Sequence, residues 1–136
     1  MAANVLVDTG FLVAILTERD TNHRWAATVS GQHPPPWRTC EAALSETFYL
    51  LGGRQASSLA ELLRRGALTT YFRLNENLES TLALMRKYAD VPMSFADACL
   101  VRMTEICDDP VLLTTDADFR VYRRHSRQAI PCVLPA

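Results

Sequence analysis

The chain has 136 residues, 49% of them hydrophobic and 21% charged, which is enough apolar material for one domain with a real core and argues against disorder. Fourteen basic residues against fifteen acidic ones leave a net charge of −1, excluding a histone-like basic coat but not a local patch for nucleic acid. Every basic residue except Lys87 is Arg, the side chain that can fork onto a phosphate or carboxylate with two bonds.

Asn4–Val7 is a short apolar run that reads as a buried strand, with Asp8 at its C-terminal end. Thr9 is expected to cap a helix over Phe11 to Leu16. Thr21 to Ser30 reads as a second helix, with Trp25 and Val29 one turn apart. Gly31 to Pro36 is a stiff linker, since three prolines cannot continue a helix. Thr39 is expected to cap a long helix from Cys40 to about Leu51, stopped by Gly52-Gly53. Ser57 to Arg65 reads as the next helix, ended by Gly66. Thr70 to Leu74 has the composition of a strand. A helix opened by Asn75 or Asn77 then runs through Leu78, Leu82, Met85 and Tyr88 until Pro92 breaks it. Ser94 caps a helix to about Cys107. Asp108-Asp109-Pro110 is a turn, Val111 to Thr115 a second buried strand ending at Asp116, and Ile130 to Leu134 a last short strand.

Strands alternating with helices argue a parallel α/β sheet covered on both faces, in one domain spanning residues 1–136. Ligands in such sheets bind beyond the carboxyl ends of the strands. Asp8 interrupts the only early apolar run, and no stretch approaches the ~18 apolar residues that span a membrane. A cytoplasmic chain without a signal peptide is therefore expected. Cys40, Cys99, Cys107 and Cys132 have neither C-x-x-C nor zinc spacing and are expected to be reduced.

Four acids stand in unusual contexts. Asp8 and Asp116 follow buried strands, with Asp118 close behind the second. Glu46 and Asp97 lie on largely apolar helical faces. Each has a plain structural explanation. Asp97 completes a capping box with Ser94, Asp8 and Asp116 suit helix caps or turns, and Glu46 suits a solvated boundary position. Glu41, in the first turn of the same helix as Glu46, competes with it for any role. Taken together, the four would meet at one sheet edge and repel one another unless a cation intervened. An oxygen-only donor set suits Mg2+ or Mn2+ and argues against zinc. His23, His33 and His125 show no metal spacing. No P-loop, dinucleotide-binding G-x-G-x-x-G or G-x-S-x-G elbow is present.

Val5-Leu-Val-Asp-Thr9, Ala43-Leu-Ser-Glu46, Ser94-Phe-Ala-Asp-Ala98 and Leu113-Thr-Thr-Asp-Ala-Asp-Phe119 together resemble the PIN-domain family, most closely its VapC-type toxin ribonucleases. The resemblance covers essentially the whole chain, and His23 also matches a common feature of these domains. It implies a three-layer α/β/α fold with a short, mainly parallel central sheet flanked by helices. It also implies a Mg2+- or Mn2+-dependent endoribonuclease that hydrolyses RNA phosphodiester bonds. Asp8, Glu46, Asp97 and Asp116 would be the catalytic, metal-holding acids, with Asp118 as an additional acid that some members use. Thr9 and Thr115 would be accessory polar groups. Gly10 departs from the pattern, since many members carry Ser or Asn there, and a polar contact is expected to be lost. The implied partners are an RNA substrate and a cognate antitoxin protein. A homodimer is expected, with the helices from Leu50 to Leu63 supplying its surface.

Approach of RNA to so acidic a site requires local cations. Candidates for phosphate contact are Arg38, Arg54, Arg120, Arg123, Arg124 and Arg127. The alternative from another class is a catalytically weak PIN module that acts as an RNA- or protein-binding regulator. A receiver-like phosphotransfer fold also gathers acids at strand ends, but the only lysine, Lys87, stands in a predicted helix.

Overall fold

The computed structural model describes residues 4–136. In chain order the elements are β1 (Asn4–Val7), α1 (Thr9–Leu16), α2 (His23–Gln32), β2 (Trp37–Arg38), α3 (Glu41–Leu50), α4 (Gly53–Arg64) and β3 (Leu68–Thr69). There follow α5 (Leu74–Lys87), α6 (Phe95–Ile106), β4 (Pro110–Leu113), a 3₁₀ turn (Ala117–Arg120), β5 (Arg123–Arg124), β6 (Gln128–Ala129) and β7 (Cys132–Val133). The sheet runs β3-β2-β1-β4-β7 with every pairing parallel, while β5 and β6 form a separate antiparallel hairpin.

The strands are apolar on both faces because both faces are covered. Val5, Val7 and Leu113 pack with Phe11 and Leu12 of α1, Ala26 and Val29 of α2, and Leu59 of α4. Leu6 and Leu112 face the other way, against Cys99–Val101 of α6, Leu84 of α5 and Tyr122. Two cores separated by one sheet make the expected three layers. The β1–β4 register sets Leu6 beside Leu112 and Val7 beside Leu113. Pairing continues past both strands, since the Asp8 amide donates to the Leu113 carbonyl at 3.2 Å. Side chains alternate along a strand, so Asp8 emerges on the face of Leu6, which is the α6 side.

The long apolar elements sit where the pattern places them, and the differences lie at caps and edges. Asp8, not Thr9, caps α1, and the Thr9 hydroxyl instead donates to the Ala43 carbonyl at 3.0 Å. The second helix begins at His23 and runs through Gly31 to Gln32 before the prolines stop it. Cys40 stands at the N-cap of α3, because the Thr39 hydroxyl is engaged with the Val7 carbonyl at 2.7 Å. Gly52-Gly53 ends α3 as expected, but Gly53 is also the first residue of α4, four residues before Ser57. Gly66 closes that helix with φ +73°.

The strand expected over Thr70 to Leu74 is instead Leu68–Thr69. Only those residues find a partner in β2, and Tyr71 is 81% exposed. The fifth helix starts at Leu74, ahead of both expected asparagine caps. Asn77 is buried inside it, donating to the Arg73 carbonyl at 2.8 Å and accepting from Arg102 Nε at 3.0 Å. Pro110 opens β4, where the missing amide costs no ladder bond, and ladder pairing ends at Leu113. The last sheet strand shrinks to Cys132–Val133. The strand Trp37–Arg38 and the β5–β6 hairpin have no counterpart in the sequence reading. Ser94 does cap α6, with the full capping box to Asp97. All four cysteines are free thiols. Among the described residues no helix is long and apolar enough to cross a membrane.

Candidate active site

Asp8 leaves β1 at the carboxyl edge of the sheet, only 7% exposed. Its Oδ1 accepts the Phe11 amide at 3.0 Å, and its Oδ2 accepts the Thr114 hydroxyl. Burial pushes its pKa up to about 6; those two donors pull it back in part, and the charges of Asp116 and Asp97 push it further up. The Thr114 hydroxyl also accepts the Asp116 amide at 2.9 Å. One side chain thus ties the first acid to the backbone of the last.

Asp97 stands in the first turn of α6. Its amide donates to Ser94 Oγ at 3.0 Å, and its Oδ2 accepts the Ser94 amide at 3.3 Å. The same Oδ2 accepts the Tyr122 hydroxyl at 3.2 Å. Its carboxyl is raised above the usual range, first by burial and then by the charge of Asp116, against the lowering effect of the Ser94 amide. The carboxylate that completes the capping box also lines the cavity shared with the other acids. Asp116 caps the 3₁₀ turn, with Oδ1 accepting the Asp118 amide at 2.9 Å. Glu46 projects from the middle of α3 and is exposed.

Asp8, Glu46, Asp97 and Asp116 line one cavity of about 340 Å³, together with Thr9, Thr115 and Leu50. Glu41, the rival of Glu46, lines a different open groove with residues 70–76. Asp118 is half-buried and engages the cluster through its amide.

The donor set is entirely carboxylate and hydroxyl oxygen, and neighbouring carboxylates help raise the pKa of Asp8 and of Asp97. That repulsion is what a hard divalent cation would relieve. Among the described residues no three His, Cys, Asp or Glu side chains close into a ready-made cage. An open ring of acids around a cavity suits an ion such as Mg2+, which keeps several of its waters and takes only one or two carboxylates.

Thr114 and Tyr122 are the site residues that the sequence reading missed. Thr114 was legible in principle. With Leu6 beside Leu112, the positions two residues on bring Asp8 and Thr114 to the same face of adjacent strands. Tyr122 had no such signal: a buried tyrosine needs a partner for its hydroxyl, but nothing in the sequence says which. Its pKa is raised by burial and by the charge of Asp97, which keeps the hydroxyl a donor.

Thr115 faces the opposite way, toward α1. A Cβ on residue 10 would fall 1.9 Å from Thr115 Oγ1 and 3.2 Å from Thr115 Cβ. Gly10 is the room that the Thr115 side chain occupies.

The arginines divide. Arg38 Nη1 lies 3.9 Å from Cys107 Sγ, at the far end of α6 from Asp97. Arg123 Nη1 donates to the Arg120 and Tyr122 carbonyls at 2.6 and 3.0 Å, and Arg124 Nη2 to the Thr104 carbonyl. Arg54, Arg120 and Arg127 are exposed. His23 Nδ1 meets the Ala14 carbonyl at 2.8 Å, joining α2 to α1. Trp25 and Trp37 pack edge-on to Phe11, with centroids 6.0 and 5.2 Å away.

A family model for the PIN domain matches residues 5–124. Among solved structures, the crystal structure of Mycobacterium tuberculosis VapC20, a Sarcin-Ricin loop cleaving toxin, has a similar fold. The TM-score is 0.64 at 21% sequence identity, over 74% of this chain and 81% of that one. No curated protein matches the chain in sequence.

Proposed function

Because the chain belongs to the PIN domain family, we propose that it is a Mg2+- or Mn2+-dependent endoribonuclease and the toxin half of a toxin–antitoxin pair. The carrying observation is that four carboxylates from four separate segments line one cavity at the carboxyl edge of a parallel sheet. The likeness of fold to a Sarcin-Ricin loop cleaving toxin supports RNA as the substrate.

Asp8, Asp97 and Asp116 would hold the cation. When bound, such an ion lowers the pKa of water and offsets the charge of a phosphate. Asp8 must be ionised to take part, and the Thr114 and Phe11 donors favour its charged form against the cost of burial. Asp97 keeps Oδ2 tethered by Ser94 and Tyr122. Glu46 makes no hydrogen bond among the described residues and is exposed, so its carboxylate is free to orient the attacking water. Thr9 and Thr115 border the same cavity, but the Thr9 hydroxyl is spent on the Ala43 carbonyl and that of Thr115 lies against Gly10, so both act as wall rather than as phosphate donors.

Arg120 and Arg127, exposed, are the better candidates for RNA phosphates, since Arg123 and Arg124 are committed to carbonyls. Tyr49 is 87% exposed and Leu50, beside it, borders the cavity. An apolar rim of this kind supports an antitoxin that masks the site. A homodimer using Phe48 and the half-buried Leu62 and Leu63 of the α3–α4 arm belongs to the same reading, as does a cytoplasmic location.

The test is cleavage of a panel of structured RNAs by the purified chain. Cleavage that requires Mg2+ or Mn2+ and stops with chelator is the expected result. RNA binding without turnover at any metal concentration would favour the regulator reading instead.

A further inference from the structure

We propose that Tyr122 is a positioning residue for Asp97: its hydroxyl fixes which carboxylate oxygen stays tethered and which is left for a divalent cation. The inference rests on the metal-dependent reading above and concerns a residue outside the acidic set.

Both donors to the Asp97 carboxylate converge on Oδ2, the Ser94 amide from one side and the Tyr122 hydroxyl from the other. Among the described residues no hydrogen bond takes up Oδ1. A carboxylate held by Ser94 alone, through its amide and its side chain, can still rotate about its Cβ–Cγ bond, because terminal sp² torsions have broad, shallow wells. A second donor at the same oxygen removes that freedom and leaves Oδ1 the one available.

The donor itself is rigid. Tyr122 is fully buried. Its ring meets Phe119 edge-on at 5.3 Å and 87°, and Tyr88 at 5.1 Å and 64°. Phe119 belongs to the 3₁₀ turn that Asp116 caps, and the Tyr122 amide donates to the Asp118 carbonyl at 3.2 Å. The hydroxyl on Asp97 is therefore carried by a residue tied back onto the turn that Asp116 caps. Tyr122 sets the spacing of two acids that no secondary-structure element connects.

The test is Mn2+ titration of the full chain without RNA, read from the loss of the free-ion paramagnetic resonance signal. Tyr122→Phe keeps the ring and removes only the hydroxyl. Losing an outer partner of a metal ligand commonly weakens binding by about 10- to 100-fold, so affinity in Tyr122→Phe should fall by about tenfold or more. The control is Tyr88→Phe. It removes a hydroxyl from the same aromatic stack, one that accepts the Arg123 amide at 2.9 Å and does not touch Asp97. It should bind Mn2+ as the parent does.

Parent-like affinity in Tyr122→Phe overturns the proposal, as does an equal loss in Tyr88→Phe, which would make packing the cause. A Tyr122→Phe chain that does not fold also overturns it, since the hydroxyl would then serve folding. If the parent chain itself takes up no Mn2+, the metal-dependent reading fails first and this inference with it.

Discussion

Thr114 donates its hydroxyl to the Asp8 carboxylate across a sequence separation of 106 residues. The bond follows from the β1–β4 register, which carries both residues to one face of the central strand pair. It gives a buried anion a second donor. Thr114→Val keeps the shape and removes that donor together with the acceptor of the Asp116 amide. At pH 7.5 the variant should lose roughly 1.5–3 kcal/mol, the usual worth of a hydrogen bond to a charged group. The part owed to the Asp8 charge should shrink near pH 4, where Asp8 is protonated, leaving the part owed to the Asp116 amide. Thr114→Ser should stay close to the parent. Denaturant unfolding of the three chains at both pH values is the check.

The Asp8 pKa of about 6 carries a sign that can be tested. Its value in an unfolded chain is near 3.8, so the folded chain binds the extra proton more tightly between those limits. Stability from this group is present at low pH and lost as pH rises from about 4 to about 6. A gap of about two pH units corresponds to roughly 3 kcal/mol. In chelator at pH 7.5, Asp8→Asn should therefore be more stable than the parent by up to about that amount. The two should converge toward pH 4, and saturating Mg2+ should stabilise only the parent. Equal melting curves at pH 7.5 in chelator would show that burial does not burden this carboxylate.

Substituting the acids should separate their roles. Asp8→Asn and Asp97→Asn should fold and yet lose RNA cleavage by more than the roughly 100-fold that an outer-shell partner can be worth. Glu46→Gln, at an exposed position, should lower kcat while leaving Mn2+ affinity and melting temperature unchanged. Single-turnover cleavage beside metal titration decides each case. Turnover retained by both aspartate variants would remove them from the metal site.

At Gly10 the expected defect is steric. Gly10→Ser drives a Cβ to within 1.9 Å of Thr115 Oγ1, and overpacking of this kind costs about 1–3 kcal/mol. Thr115→Ala removes the hydroxyl, so Gly10→Ala combined with Thr115→Ala should recover most of the loss seen in Gly10→Ala alone. Additive losses in a double-mutant cycle would show that the two positions are independent.

What could be read in advance follows from where the information resides. Asn4–Val7 and the run from Val111 are apolar on both faces, so burial alone identifies them as central strands. The Ser94–Asp97 box is local chemistry and survives intact. Trp37–Arg38 and Leu68–Thr69 are strands only because a neighbour already lies beside them, and two residues carry no period. Asn75 and Asn77 have cap chemistry, but Asn77 is drawn inside to meet Arg102.

The four acids were legible because carboxylates at strand ends and on apolar faces are conspicuous. The side chains that orient them were not. Thr114 and Tyr122 differ from ordinary core residues only in what they touch. Arg123 and Arg124 looked like free cations, since no pattern shows that a guanidinium will be taken up by carbonyls.

The pairing of β1 with β4 joins the first element among the described residues to one beyond residue 109. Contacts of such long range form late, after the entropy of closing the loop has been met. On the ribosome the amino-terminal strand must wait, flanked by helices but unpaired on one edge, until Leu112 and Thr114 have emerged. The cavity is thus assembled only once residues 110–116 have emerged, and a nascent chain that stops short of them holds Asp8, Glu46 and Asp97 without the strand that brings Asp116 to them.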